Sequence, residues 1–279
     1  MVITRLYGGL GNQMFQYAVG LVLADRLSTR LYMDLSWFEA IKGNANVAQR
    51  VYELDVFDIY PKQLGLLDKI SIKLNSPISF KEQGLGYQKS FRNLRGNIIL
   101  DGYWQSYKYL DRKRELVLEA FSFPEKISQK NLKIFSSIQK AESVSIHIRR
   151  GDYVQMKHTN IYHGVIPLSY YSQAIAYFES LLNGPVFYIF SDDPKWCRTN
   201  LKLRSPAVFV DNNRGQRSGV EDLRLMSACK HNIIANSSFS WWAAWLNSNP
   251  QKIVCSPKDW FAGTKHRIQD RIPKDWLII

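Results

Sequence analysis

The sequence predicts an α/β protein of two halves facing one another, each built on a parallel β-sheet with helices on its faces. Three observations carry that prediction. Apolar runs such as VSIHI (144–148), VFYIF (186–190) and AVFV (207–210) alternate with segments of helical length, and strands separated by helices of roughly 10–15 residues imply parallel pairing. The opening VITRLY, GGLGN, QMFQYAVGLVLADRL reads as strand, glycine turn and helix, the start of a second such unit. Between them, residues 124–142 join Pro124 to a Lys-, Gln- and Ser-rich run. The halves are therefore drawn as 1–140 and 141–279, with the last residues returning to pack on the first half. At 279 residues, 46% apolar and 13% aromatic, the chain can fill two cores of ordinary size.

The elements follow in order. After the first helix, LYMD (31–34) is a short strand. Residues 36–95 are polar and loop-rich, with a basic stretch from Lys69 to Arg95, and receive no element. NIILDGYWQS (97–106) reads as a strand and YLDRKRELVLEAF (109–121) as a charged amphipathic helix. Beyond Glu142, VSIHI is a strand, and Ser169 is expected to cap a helix through YYSQAIAYFESLL. VFYIFSDD and AVFVD are strands, VEDLRLMSACKH a helix, NIIAN a strand, SFSWWAAWLN a helix and KIVC the last strand.

A net charge of +13 asks for anionic partners. No RNP, KH, zinc-finger or helix-turn-helix signature supports nucleic acid. Cys197, Cys229 and Cys255 lie far apart without CxxC spacing, which reads as reduced thiols. No apolar stretch reaches the ~20 residues that span a bilayer, and the polar residues Asn12, Gln13 and Gln16 interrupt the one signal-like opening. The expected location is the cytoplasm, with peripheral contact to the inner face of the cytoplasmic membrane.

Ligands of open parallel sheets bind outside the carboxyl ends of the strands, and polar groups collect there four times in the second half. His147 to Asp152 follow one strand, Ser191-Asp192-Asp193 the next, Asp211-Asn212-Asn213 a third and Asn236-Ser237-Ser238 a fourth. Ser237 and Ser238 cap the following helix, whose N-terminus presents N–H groups and positive dipole to a phosphate. Arg149 or Arg150 adds a fork that grips phosphate oxygens in pairs. A metal is not expected: Asp192 and Asp193 are adjacent, so they point opposite ways at a strand end. One of them is expected to accept from a ribose or base and the other to cap the next element. In the first turn, Gly9 and Gly11 give a partial dinucleotide fingerprint with Met14 in the third glycine's place, and Asp34 ends the second strand. A nucleotide-binding Rossmann oxidoreductase is the alternative reading. Asn12 and Gln13, opening the helix, look like directed hydrogen-bond donors. Trp241, Trp242 and Trp245 at helical spacing read as core. By base rate His147 reads as a satisfied core histidine, and Asp222 as a helix-start acid.

GGLGNQMFQYA, LDGYWQS, HIRRGDY, FSDD and ANSSFSWWAAWL, in this order over nearly the whole chain, resemble the bacterial α1,2-fucosyltransferases grouped as glycosyltransferase family 11. HxRRxD alone is shared with α1,6- and protein O-fucosyltransferases. The resemblance implies a GT-B-like pair of Rossmann-type domains, with the acceptor on the first and GDP-fucose held mainly by the second. It implies Arg149 on the β-phosphate, His147 and Asp222 near the guanine with Asp192 or Asp193 nearby, and Ser238 at the diphosphate. The protein O-fucosyltransferases suggest Asn12 at the active site. Phe239 departs from the α1,6 relatives, which carry glutamine there. With Arg149 and Asn12 as catalytic candidates, the donor-binding set is His147, Arg150, Asp152, Asp192, Asp193, Asp222, Ser237, Ser238, Gly9, Gly11 and Gln13. The implied reaction is inverting, needs no metal or cofactor, and delivers fucose to the 2-OH of a galactose-terminated oligosaccharide or lipid-linked glycan. Glu53, Asp101 and Asp34 are the candidate bases.

Overall fold

The computed structural model describes residues 1–44, 49–63, 65–151, 164–215, 217–261 and 270–279. Contacts divide the chain into two compact units, Met1–Pro124 with Arg267–Ile272, and Glu125–His266 with Pro273–Ile279. The division falls at 124/125, ahead of the boundary at 140 drawn from composition. The segment between is no linker. It holds helix α5 (Gln129–Lys140), capped by Ser128, whose side chain accepts from the Asn131 amide.

The first unit is a four-stranded parallel sheet in the order β2-β1-β4-β3. Its strands are β1 (Val2–Arg5), β2 (Leu31–Asp34), β3 (Ile78–Lys81) and β4 (Ile98–Asp101). Strand β3 lies in the stretch given no element, and NIILDGYWQS is strand only to Asp101. Helix α1 (Leu10–Arg26) buries most of its surface, including Met14, Phe15, Ala18, Val19 and Leu23. Gly20, poor in a helix interior by ~1 kcal/mol, earns its place by close approach: a Cβ there would stand 2.9 Å from Leu31 Cδ1 and 3.1 Å from Thr4 Cβ. The unit also holds α2 (Ser36–Ala40), α3 (Leu66–Leu74) and α4 (Arg114–Ala120). Helix α4 is shorter than the amphipathic pattern suggested, because residues 111–113 wind as a 3₁₀ turn.

The second unit is a six-stranded parallel sheet in the order β10-β9-β8-β5-β6-β7. Its strands are β5 (Glu142–Ile148), β6 (Pro185–Ser191), β7 (Ala207–Val210), β8 (His231–Ile233), β9 (Val254–Ser256) and β10 (Leu277–Ile278). Strand β10 pairs beyond β9, so KIVC does not supply the last strand. Helices α6 (Leu168–Leu181), α7 (Pro194–Asn200), α8 (Gly219–Ala228) and α9 (Ser238–Leu246) complete it among the described residues. Pro167, not Ser169, stands at the N-cap of α6. Val144, Ile146, Phe178, Phe187 and Ile233 are fully buried in one cluster, each contributing about 1.5–3 kcal/mol of burial. Helix α9 is apolar all round and buried from Ser240 to Leu246, as a helix inside a core must be. Trp241, Trp242 and Trp245 pack against one another there, and Trp276 joins Trp241. All three cysteines are buried and free.

Candidate functional site

In the second unit the chain runs from β5 outward through β6 and β7, then returns to place β8 on the other side of β5. The sheet therefore reverses direction between β5 and β8, where an open parallel sheet forms its ligand crevice. His147 is the last residue but one of β5 at this point, and Asn236 to Ser238 follow β8. His147 is buried, and its Nδ1 has no hydrogen-bond partner among the described residues. Burial, with the Arg149 charge adding, pushes its pKa down to about 3, so the ring is neutral at any physiological pH. The satisfied core histidine expected from base rates is not what stands here. A buried polar atom without a partner costs about 1–3 kcal/mol, and such a group calls for an explanation. Phe239 lies 5.6 Å from the imidazole, centroid to centroid, and also covers Gly219 at the start of α8.

The two arginines after β5 have different partners. Arg149 Nη1 lies 3.0 Å from Asp192 Oδ2, and the other oxygen, Oδ1, accepts from the Arg150 amide at 2.8 Å. The Asp192 carboxylate thus holds the arginine loop by side chain and backbone together. It also explains Gly151, where a Cβ would stand 2.9 Å from Asp192 Oδ2. Arg150 instead stacks on Trp196 at 3.9 Å and approaches Asp193 at 3.5 Å. Asp193 caps α7, accepting from the Trp196 amide. The expected division between the two acids is therefore half observed: Asp193 caps, while Asp192 orients Arg149. Asp152 lies outside the described residues.

Asn212 and Asn213, after β7, form a polar cluster with α5 and α8. Asn212 donates to Asn131, Asn131 donates to Asn213 and Glu221, and Asn213 donates to Asp222 at 2.8 Å. Burial pushes the Asp222 carboxyl up to about 7, against the Asn213 hydrogen bond and with help from the Glu221 charge. Ser237 is the N-cap of α9, its side chain accepting from the Phe239 amide at 3.3 Å, and Ser238 opens the first turn.

In the first unit, β1 stands between β2 and β4. Gly8, at φ +79, ends the β1 loop, and Gly9 is the N-cap of α1. Gly11 is buried inside the first helical turn, and Met14 in the core closes the dinucleotide fingerprint. Asn12 accepts from Gln105 Nε2 at 2.7 Å. Gln13 corrects the expectation of a donor aimed at substrate. It is fully buried; Nε2 donates to the carbonyls of Gly8 and Val51, and Oε1 accepts from the Glu53 amide. Its carboxamide ties the glycine turn to residues 51–53. Of the candidate bases, Asp34 and Asp101 both pair with Arg5, at 3.2 and 2.9 Å. Burial would raise Asp34, but hydrogen bonds from Ser36 and Arg5 hold it below the usual carboxylate range. Tyr7 packs edge-on to Tyr103 at 4.9 Å and against Trp37 at 6.1 Å. Sequence reasoning passed over Arg5, Gln105 and Asn131, whose partners are 29 or more residues away.

Among the described residues no group of three or more His, Cys, Asp or Glu could hold a metal ion, and no helix is long and apolar enough to cross a membrane.

The profile of glycosyl transferase family 11 matches residues 83–279. The O-antigen biosynthesis glycosyltransferase WbnK of Escherichia coli is 35% identical, covering 92% of this chain and 94% of its own. The alpha-1,2-colitosyltransferase of Escherichia coli is 32% identical over 100% and 99%. A mouse galactoside 2-alpha-L-fucosyltransferase, Sec1, is 27% identical over 88% of this chain and 64% of that one. Among solved structures, the fucosyltransferase NodZ from Bradyrhizobium matches with a TM-score of 0.50 at 15% identity, over 87% of this chain and 90% of that one. That likeness is one of fold alone, α/β and GT-B-like with two parallel sheets. With most of its length inside the family profile and full-length relatives above 30% identity, the chain is a glycosyltransferase and belongs to glycosyl transferase family 11.

Proposed function

We propose that the enzyme transfers L-fucose from GDP-fucose to the 2-hydroxyl of a galactoside, with inversion and without a metal ion, in the assembly of O-antigen or another surface glycan. The observation that carries the reading is the Nδ1 of buried His147, without a hydrogen-bond partner among the described residues, at the β5/β8 crevice, two residues before Arg149. In this reading His147 meets the nucleotide, and Asp222 accepts from the guanine edge. Arg149 and the N–H groups at Ser238 hold the diphosphate. Departure of GDP builds negative charge on the β-phosphate, and a fixed guanidinium with a helix N-terminus stabilises that charge as it forms. Hydrogen bonds from Ser36 and Arg5 make Asp34 a weak base, and Asp101 is engaged by Arg5; in this reading leaving-group stabilisation is the larger catalytic contribution. The first unit takes the acceptor, and the Tyr7, Trp37 and Tyr103 rings suit the C–H face of a hexose. The +13 charge suits peripheral contact with anionic lipid.

The relatives support an α1,2 transfer with a deoxy sugar, since one is named an alpha-1,2-colitosyltransferase and others galactoside alpha-(1,2)-fucosyltransferases. The former, matched over the whole chain, favours a second reading in which the donor sugar is colitose. The deciding experiment incubates the protein with GDP-fucose and a panel of galactosides in excess EDTA and assigns the new linkage by NMR. An α1,2-fucosylated galactoside is expected. Turnover only after magnesium is restored, or turnover of a colitosyl donor alone, overturns the metal-free or the fucosyl part respectively.

A further inference from the structure

The loop Gly102-Tyr-Trp-Gln-Ser106 follows β4 and is held from both sides. Glu82 accepts from the Tyr103 and Trp104 amides at 2.7 and 3.0 Å. Trp104, at φ +56 with its side chain fully buried, stacks on Phe80. On the other side, Ser106 Oγ and the Tyr107 amide both donate to the Asp270 carbonyl, at 2.7 and 3.1 Å. Gln105 is the residue between these anchors. Its Nε2 donates to Asn12 Oδ1 at 2.7 Å, and its Oε1 accepts from Nη1 of buried Arg271.

The order of donors in this chain follows from its Arg271 end. A guanidinium can only donate, so Gln105 must turn its oxygen to Arg271 and its nitrogen to Asn12. Asn12 must then accept through Oδ1, which places Nδ2 over Gly8, 2.6 Å from where a Cβ would stand. The positive φ at Gly8 and its missing side chain make that placement sterically open.

We infer that Gln105 and Arg271 are positioning residues that fix the polarity of the Asn12 carboxamide, so that Asn12 meets substrate as a hydrogen-bond donor. The inference rests on the transfer reading above and on the active-site place that the family resemblance gives Asn12. A relay that merely braced the loop would be indifferent to which way the amides point.

Gln105→Glu separates the two. The carboxylate keeps Arg271 as a partner but can only accept, so it draws Nδ2 of Asn12 towards itself and turns Oδ1 to the substrate. The expected result is a kcat lower by roughly 10²-fold, a melting temperature equal to or above wild type, and no further loss when the change is made in an Asn12→Ala background. Arg271→Lys, which still only donates, should restore most of the kcat that Arg271→Met loses. If Gln105→Glu keeps kcat within threefold of wild type while Asn12→Ala loses it, the relay falls and the role of Asn12 stands. If Asn12→Ala itself keeps kcat, the positioned group has no task and the inference falls with it. Should wild type transfer from no GDP-sugar, the donor reading fails instead. The Asn12 side-chain amide resonances, assigned by their loss in Asn12→Asp, then decide, since an unmoved pair in Gln105→Glu refutes the relay.

Discussion

Asp222 is the group whose titration the structure makes most specific. Its carboxyl is pushed up to about 7 by burial, with the Asn213 hydrogen bond opposing and the Glu221 charge assisting, from an ordinary value near 3.9. The folded state therefore holds this proton more tightly than the unfolded one. The sign follows: the group's contribution to stability is fully present below about pH 4 and is lost as pH rises through about 7. Asp222→Asn mimics the protonated form at every pH. The stability gap between the variant and wild type should widen by about 1.4 kcal/mol per pH unit inside that window. Between pH 5 and pH 8 this sums to about 2–3 kcal/mol, an upper figure because water reaches part of the side chain. At 2–4 °C per kcal/mol the gap in melting temperature grows by roughly 5–10 °C. Differential scanning fluorimetry of both proteins at each pH, subtracted pairwise, removes every other titrating group. A gap that stays constant from pH 5 to pH 8 would show that Asp222 is not held protonated. The proposed guanine contact adds a second signature. A base edge that donates to this carboxylate favours its ionised form, so GDP should bind wild type more tightly as pH rises towards 7, and Asp222→Asn with no such slope.

The remaining expectations concern the arginine loop, the first core and the charge. Arg149→Ala should lower transfer by more than 10²-fold, since two charge-assisted hydrogen bonds to phosphate contribute roughly 1.5–3 kcal/mol each. Its partly exposed pair with Asp192 contributes no more than ~1 kcal/mol, so the melting point should hardly move; retention of more than a few percent of activity contradicts the role. Gly20→Ala should cost about 1–3 kcal/mol of stability by overpacking against Leu31 and Thr4, and calorimetry that finds it neutral would mean α1 can lift from the sheet. Flotation with anionic and neutral liposomes tests the use of the +13 charge; equal recovery from both removes the membrane contact.

How far the sequence could be read depended on how each feature is held in place. Strands β5, β6 and β8 carry buried positions along almost their whole length, so they appear as unbroken apolar runs. Strand β3 is an edge strand with exposed and half-buried positions, and β10 is two exposed residues; neither leaves an apolar run to find. Helix α5 was masked by its polar composition, although Ser128 and the buried Ile138 mark its start and its inner face. The site divides in the same way. Parallel strands deliver residues to one edge by their own geometry, so His147, Asp192 and Ser237 could be placed from local pattern alone. What each then touches is decided by loops that meet from elsewhere in the chain. Arg149 and Arg150 are neighbours in sequence, yet one is held by Asp192 and the other lies on Trp196. Asn12 and Gln13 are neighbours too, and one meets Gln105 while the other turns inward to Val51 and Glu53. Arg271 reaches Gln105 across 166 residues of sequence. Residue type and strand-end position therefore picked out the candidate residues, while what each of them touches is set by partners too far apart in sequence for any local pattern to record.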